Sequence, residues 1–234
     1  MNRPTAILFD FGGTILGDRR YDLEGGYARL LDYAIPPNTL TLKEVQEEAG
    51  RLDSELGKHY GLIEFPVQRF QRTLFDKLGI QFRISFSEME LEFWKGAMRY
   101  SPEPGIIEAL DELTLLKIKM GIVSNYPFSG PVLEWELQRH GLLDAFSFVM
   151  SSADYAIRKP HPLLFEVAIA RLNIRADQAW YCGNSLEIDI KGSRFAGLWS
   201  IWYNRQRSIS DGTLPDVEVH NWSEFIQIVR SHIK

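Results

Sequence analysis

Short runs of unbroken apolar residues recur along the chain, each ending in a turn rich in glycine or polar residues. Ala6 to Phe9 ends at Asp-Phe-Gly-Gly, Met120 to Val123 ends at Ser124, Ala179 to Cys182 ends at Gly183, and Trp199 to Tyr203 is a further run. Their length and lack of alternation predict strands buried on both faces, as in a parallel sheet. Between them, apolar positions at helical spacing predict helices over about Gly105 to Leu116, Pro131 to His140, Pro162 to Leu172 and Ile188 to Ala196. Strands alternating with helices predict an α/β fold, a doubly wound, mostly parallel, Rossmann-like sheet. Asp216 to Val219 and Trp222 to Ile233 read as a last strand and a closing helix.

From Leu16 to Tyr100 this rhythm breaks. Helical patterns lie near Leu23 to Tyr33, Leu42 to His59, Val67 to Leu78 and Phe86 to Tyr100, with no buried strand among them. Pro36-Pro37, Gly61 with Pro66, and Gly79 separate them. The pattern predicts an all-α domain over residues 17–100, inserted into a core made of residues 1–16 and 101–234.

Composition narrows the function classes. The 234 residues carry a net charge of -5, which offers neither nucleic acid nor an anionic membrane a partner. The single cysteine, Cys182, forbids an internal disulfide and suits a reducing compartment. No apolar stretch reaches the length of a membrane span, and the N-terminal one is too short for a secretory signal. These readings predict a cytoplasmic protein with neither nucleic acid nor a membrane as partner; the chain is expected to be a monomer or homodimer.

Four segments carry candidate chemistry. In ILFDFGGT a strand delivers Asp10 to its carboxyl edge, where open α/β sheets bind ligands. Gly12 and Gly13 permit close backbone approach, and Thr14 supplies a hydroxyl. MGIVSN brings Ser124 and Asn125 to the same edge. In IRKPHP, Lys159 precedes Pro160, which favours an extended backbone there and opens the next helix. A cation at that point can hold an anion beside a carboxylate. AWYCGNSLEIDIKG leaves a strand through Gly183 and presents Asn184 and Asp189. Each also has an ordinary structural reading: a turn, a helix cap or a solvated lysine.

Their order, and the place of the helical stretch, resemble the haloacid dehalogenase superfamily over essentially the whole chain. The resemblance implies a helical cap domain inserted after the first motif. It implies that Asp10 is a nucleophile forming a covalent aspartyl intermediate. Thr14, Ser124, Gly13 and Asn125 would surround the transferred group, and Lys159 would neutralise charge. Phosphatase members use Mg²⁺, which here would be held by Asp10, the Gly12 carbonyl, Asn184 and Asp189.

Two positions depart from the phosphatase pattern. The second aspartate that protonates the leaving alcohol is Gly12, and the usual Gly-Asp of the fourth motif is Gly183-Asn184. The expectation is a phosphatase acting on a small phosphorylated or otherwise anionic metabolite, slowed by the missing acid/base and with a weakened Mg²⁺ site. The alternatives are a metal-independent hydrolase resembling the 2-haloacid dehalogenases and an inactive binding protein. Arg19 and Arg20 are placed to bind a substrate anion. Arg69, Arg72 and Trp94 are remoter candidates, and His59 and His161 are the histidines available for proton transfer, His161 reading first as a helix-starting residue. Cys182, Trp180, Trp199 and Trp202 read as core.

Overall fold

A computed structural model describes residues 3–56, 61–210 and 212–233. Strands β1 (Ala6–Phe9) and β2 (Leu16–Tyr21) are followed by helices α1 (Leu23–Leu31), α2 (Leu42–Leu56), α3 (Val67–Leu78) and α4 (Phe86–Ala97). Then come β3 (Met98–Pro102), α5 (Ile106–Leu115), β4 (Lys119–Ser124), α6 (Gly130–Arg139), β5 (Val149–Ser151), α7 (Ser152–Tyr155), α8 (Pro162–Leu172) and β6 (Ala179–Gly183). A π-helical turn, Leu186–Ile190, runs into α9 (Lys191–Phe195), and β7 (Trp199–Tyr203), β8 (Val217–Val219) and α10 (Trp222–Ser231) complete the chain.

The six-stranded sheet has the order β5-β4-β1-β6-β7-β8, and every neighbouring pair is parallel. β1 lies inside it, and its four side chains are fully buried. Because side chains alternate across a strand, Ile7 and Phe9 join the cluster containing Trp222 and Phe225, while Ala6 and Leu8 pack with Leu164, Phe165 and Ala168 of α8. Burial of each large side chain contributes roughly 1.5–3 kcal/mol. An unbroken apolar run is what a strand covered on both faces requires. The chain leaves β1 toward β4 on one side and reaches β6 on the other, so the carboxyl ends of these three strands meet at the crevice where the order reverses.

The stretch expected to be purely helical contains more than helices. β2 and β3 form an antiparallel two-stranded ribbon that straddles both expected domain boundaries. β2 reads Leu-Gly-Asp-Arg-Arg-Tyr, and its last four residues are exposed. The outer end of β2 is charged and exposed, and in β3 only Met98 and Tyr100 alternate with exposed Arg99, too short a run to stand out after the helical pattern of α4. β5, with three residues, is too short to show a period.

The helical insert packs on the core through buried carboxylates. Trp94 Nε1 of α4 donates to Glu136 Oε2 of α6 at 2.7 Å. Glu90 accepts from the Ser129 N–H at 2.6 Å and from its hydroxyl at 2.7 Å. Within the insert, α1 and α4 touch backbone to backbone: a β-carbon on Gly96 would lie 2.4 Å from the Gly25 carbonyl oxygen. Among the described residues, no helix is long and apolar enough to cross a membrane.

Candidate active site

Asp10 extends the register of β1 by one residue, donating its N–H to the Cys182 carbonyl at 3.0 Å. The chain then turns back on itself. Gly13 N–H donates to the Leu16 carbonyl at 2.7 Å, and Leu16 N–H to the Phe11 carbonyl at 3.0 Å. Gly13 has φ of 78°, a left-handed conformation that side chains resist.

Lys159 enters from the loop before α8 and is 2% exposed. Its Nζ donates to Asp10 Oδ1, Asp189 Oδ1 and Tyr181 Oη, each at 2.7 Å. The three N–H bonds of the ammonium are thereby spent on one cluster. Asn125 sets the backbone of Lys159. Its Nδ2 donates to the Lys159 carbonyl at 2.9 Å, and its Oδ1 accepts the Lys159 N–H at 2.7 Å.

Burial pushes the Asp10 carboxyl up to about 6, helped by the like charge of Asp189 and opposed by Lys159. Burial also disfavours the Lys159 ammonium, but the two carboxylates outweigh it and hold the group above the ordinary lysine range. Burial keeps Tyr181 a neutral phenol. The ion pair is therefore intact at neutral pH, and Asp10 ionises near pH 6.

A cavity of about 340 Å³ opens over Asp10. Gly12, Gly13, Ser124, Asn125, Lys159, Asn184 and Asp189 line it from the core, and Arg19, Tyr100 and Tyr126 from the other side. Of the residues singled out in the sequence, these come together. Others lie outside it or are engaged by neighbours. Thr14 is fully buried, does not line the cavity, and its hydroxyl has no hydrogen-bond partner among the described residues. The turn at Phe11 to Leu16 carries it inward. Arg20 follows Arg19 on β2, points to the opposite face and remains in solvent outside the cavity. Asn125 lines the cavity and holds the backbone of Lys159 with both ends of its amide. Asp189 is not a free metal ligand: Oδ1 takes Lys159 and lies 3.1 Å from Tyr181 Oη, while Oδ2 accepts the Ser185 N–H at 3.0 Å.

The other described candidates do not line this cavity. His161 caps α8, its Nδ1 accepting the Leu163 N–H at 3.2 Å. Cys182 and Trp180 are core, and Trp202 Nε1 donates to the Asn184 carbonyl at 3.0 Å. Trp199 packs on Trp180 with ring centroids 4.1 Å apart. Arg69 is exposed, and Arg72 lies 4.8 Å over the Phe86 ring. Trp94 is buried against Glu136. His59 lies outside the described residues.

Tyr181, Tyr100 and Tyr126 were not legible as site residues. Tyr181 sits in a strand whose every residue is apolar or aromatic. Only its alternation with Trp180 and Cys182 places it on the α8 face, under Lys159.

Among the described residues, no cluster of three or more His, Cys, Asp or Glu side chains could hold a metal. A smaller oxygen set does fit a weakly held Mg²⁺. It comprises the second oxygen of Asp10, the Gly12 carbonyl and the Asn184 amide. A β-carbon on Gly13 would strike Asn184 Nδ2 at 2.5 Å, so the missing side chain is what lets the amide lie against this turn, in the cavity that Asp10 and Gly12 also line. A site with one charged ligand must take most of its coordination from water and substrate oxygens.

Residues 7–203 match the family model for haloacid dehalogenase-like hydrolase. The glyceraldehyde 3-phosphate phosphatase of Methanopyrus kandleri is 27% identical over 199 residues, 82% of this chain and 80% of that one. The phosphoserine phosphatase of Thermus thermophilus is 28% identical over 139 residues, 58% of this chain and 55% of that one. A 2-haloacid dehalogenase from Pseudomonas syringae has the same fold, with a TM-score of 0.68 at 24% identity and full coverage of both chains. With the family model spanning most of its length and Asp10 lodged at the crevice of its sheet, the chain belongs to the haloacid dehalogenase-like hydrolases.

Proposed function

We propose that this protein is a phosphatase acting on a small phosphorylated metabolite, with Asp10 as the nucleophile. The observation that carries the reading is the buried Asp10 carboxylate, 2.7 Å from Lys159 Nζ, at the floor of a cavity of about 340 Å³. An anion beside a carboxylate needs a cation between or next to them, and Lys159 is that cation. Asp10 attacks phosphorus in line, and the Asp10–phosphorus bond forms as the bond to the leaving oxygen breaks. Ser124, at the end of the adjacent strand, offers a neutral donor to the phosphoryl oxygens, and Arg19 offers a charged one at the mouth. Water then attacks phosphorus and returns Asp10. Mg²⁺, held by Asp10, the Gly12 carbonyl and Asn184, would neutralise charge between the nucleophile and the phosphoryl group. The relatives named as phosphatases of small phosphorylated metabolites support this substrate class.

A second reading has one observation in its favour. With Asp189 engaged by Lys159, Asp10 would attack a halogen-bearing carbon without a metal, the carbon–halogen bond breaking as halide leaves and water then hydrolysing the aspartyl ester. Incubation with acetyl phosphate and Mg²⁺, followed by mass spectrometry, decides between them. The expected result is a phosphoryl group on Asp10 that is absent in Asp10→Asn. An unmodified Asp10, together with chloride release from a 2-chloroalkanoate without metal, would replace the phosphatase by the dehalogenase.

A further inference from the structure

Gly12 stands where a phosphatase of this family would carry its general acid, and the space its side chain leaves is not empty. A β-carbon built there would lie 3.7 Å from Tyr100 Oη and 3.8 Å from Tyr126 Cε2, with nothing nearer. The two hydroxyls are hydrogen-bonded to each other, and Arg19 Nη1 donates to Tyr126 Oη at 3.5 Å. All three side chains line the cavity that holds Asp10. They arrive separately, Arg19 on β2, Tyr100 on β3 and Tyr126 just after β4.

The rings cannot drift. Tyr100 stacks on Trp94 with centroids 6.0 Å apart and meets the edge of Phe11 at 5.6 Å. Tyr126 contacts the same two rings at 5.5 Å and 5.9 Å. Two hydroxyls that share one hydrogen bond hold two protons and spend one. The described residues offer the other no acceptor. Arg19 donates and cannot accept, so the second phenolic proton is available only to the contents of the cavity.

We propose that the Tyr100–Tyr126 pair, polarised by Arg19, is the proton donor and acceptor that replaces the aspartate absent at position 12. The proposal rests on the phosphatase reading. As the bond from phosphorus to the leaving oxygen breaks, that oxygen takes the unspent phenolic proton, giving an alcohol and a tyrosinate. The remaining hydroxyl and Arg19 stabilise the anion through charge-assisted hydrogen bonds. In the second step the tyrosinate takes a proton from the attacking water, the Asp10–phosphorus bond breaks, and phosphate leaves with both phenols restored. Burial raises Tyr100 well above the ordinary tyrosine range, which keeps it protonated in the resting enzyme. Packing alone would explain the rings but neither the arginine nor the unspent proton.

The test compares kcat/KM for p-nitrophenyl phosphate, whose leaving group needs no proton, with that for small alkyl phosphates, glycerol 3-phosphate among them. In the Tyr100→Phe/Tyr126→Phe double variant, alkyl esters should lose about 100- to 10,000-fold, and the aryl ester less than roughly tenfold. Phosphorylated Asp10 should accumulate, because the water-activating base is gone. In the otherwise native enzyme, Gly12→Asp should raise alkyl phosphate turnover by less than roughly tenfold, since an acid is already present. An unchanged alkyl-to-aryl ratio in the double variant, or a gain of about 100-fold or more from Gly12→Asp, overturns the proposal. An enzyme that turns over the aryl ester alone overturns it too. If native Asp10 takes no phosphoryl group from acetyl phosphate, the phosphatase reading itself falls. If it does and the ratio holds, only the tyrosine pair falls.

Discussion

Asn125 grips Lys159 by its backbone, accepting the N–H at 2.7 Å and donating to the carbonyl at 2.9 Å. Asn125 follows β4 and Lys159 lies in the loop before α8, 34 positions apart, and this amide is what aims the buried ammonium at Asp10. Asn125→Ala should leave the protein folded while displacing Nζ by a fraction of an ångström to an ångström. A misplacement of that size costs on the order of 100-fold in rate. Steady-state kcat/KM on p-nitrophenyl phosphate checks it, and an unchanged value would mean that Pro160 and the start of α8 position Lys159 unaided.

The raised Asp10 carboxyl sets a pH dependence. The nucleophile acts only when ionised, and its midpoint lies at about 6. Below that pH, kcat/KM should fall roughly tenfold per unit once the titration of the substrate phosphate is divided out. Above it the rate should level off. Lys159→Met removes the cation that stabilises the anion, so the midpoint should move upward. A midpoint that stays or falls in this variant would show that Lys159 does not govern Asp10.

Gly13 combines a positive φ of 78° with a β-carbon position only 2.5 Å from Asn184 Nδ2. Gly13→Ala should therefore cost about 1–2 kcal/mol in backbone strain and push the Asn184 amide out of its place against the turn. The expected result is a lower melting temperature together with a loss of the Mg²⁺-dependent thermal shift. Loss of stability with the Mg²⁺ response retained would remove Asn184 from the metal site.

Glu136 is fully buried and takes the indole N–H of Trp94 across the junction of the insert and the core. Its other partners, His140 at 3.0 Å and Arg139 at 3.3 Å, both belong to the core. Trp94→Phe keeps an aromatic ring and removes only the donor, which should cost roughly 1–3 kcal/mol in urea denaturation. Because Trp94 also stacks on Tyr100, alkyl phosphate turnover should fall more than aryl turnover. Equal kinetics with reduced stability would limit Trp94 to a structural part.

The strands that build the floor of the site were legible because each is an apolar run ending in a recognisable turn. β1 and β7 fall where the pattern predicted them. The helices of the insert were legible from their spacing, α3 to the residue. The ribbon of β2 and β3 was not, since the outer end of β2 is exposed and the single alternation of β3 directly continues the helical pattern of α4. Within the site, Asp10, Ser124 and Lys159 were found because each follows a strand or precedes a helix at a fixed offset. The burial of Thr14 away from the cavity was not legible, because the inward turn of its loop depends on hydrogen bonds among Phe11, Gly13 and Leu16 that the residue pattern does not display.

By itself the sequence determined the layered α/β core, the position of the insert and the identity of the buried carboxylate and its cation. These follow from local burial patterns and from short motifs attached to strand ends. Only the tertiary structure decided how the site is completed. Arg19 meets Tyr126 from 107 residues away, and Tyr100 meets it from 26, so that their hydroxyls fill the space beside Gly12. Lys159 reaches Asp10 across 149 residues and claims Asp189 as well. Such meetings depend on how the insert packs against the sheet, and no periodicity along the chain records which distant side chains will share a cavity.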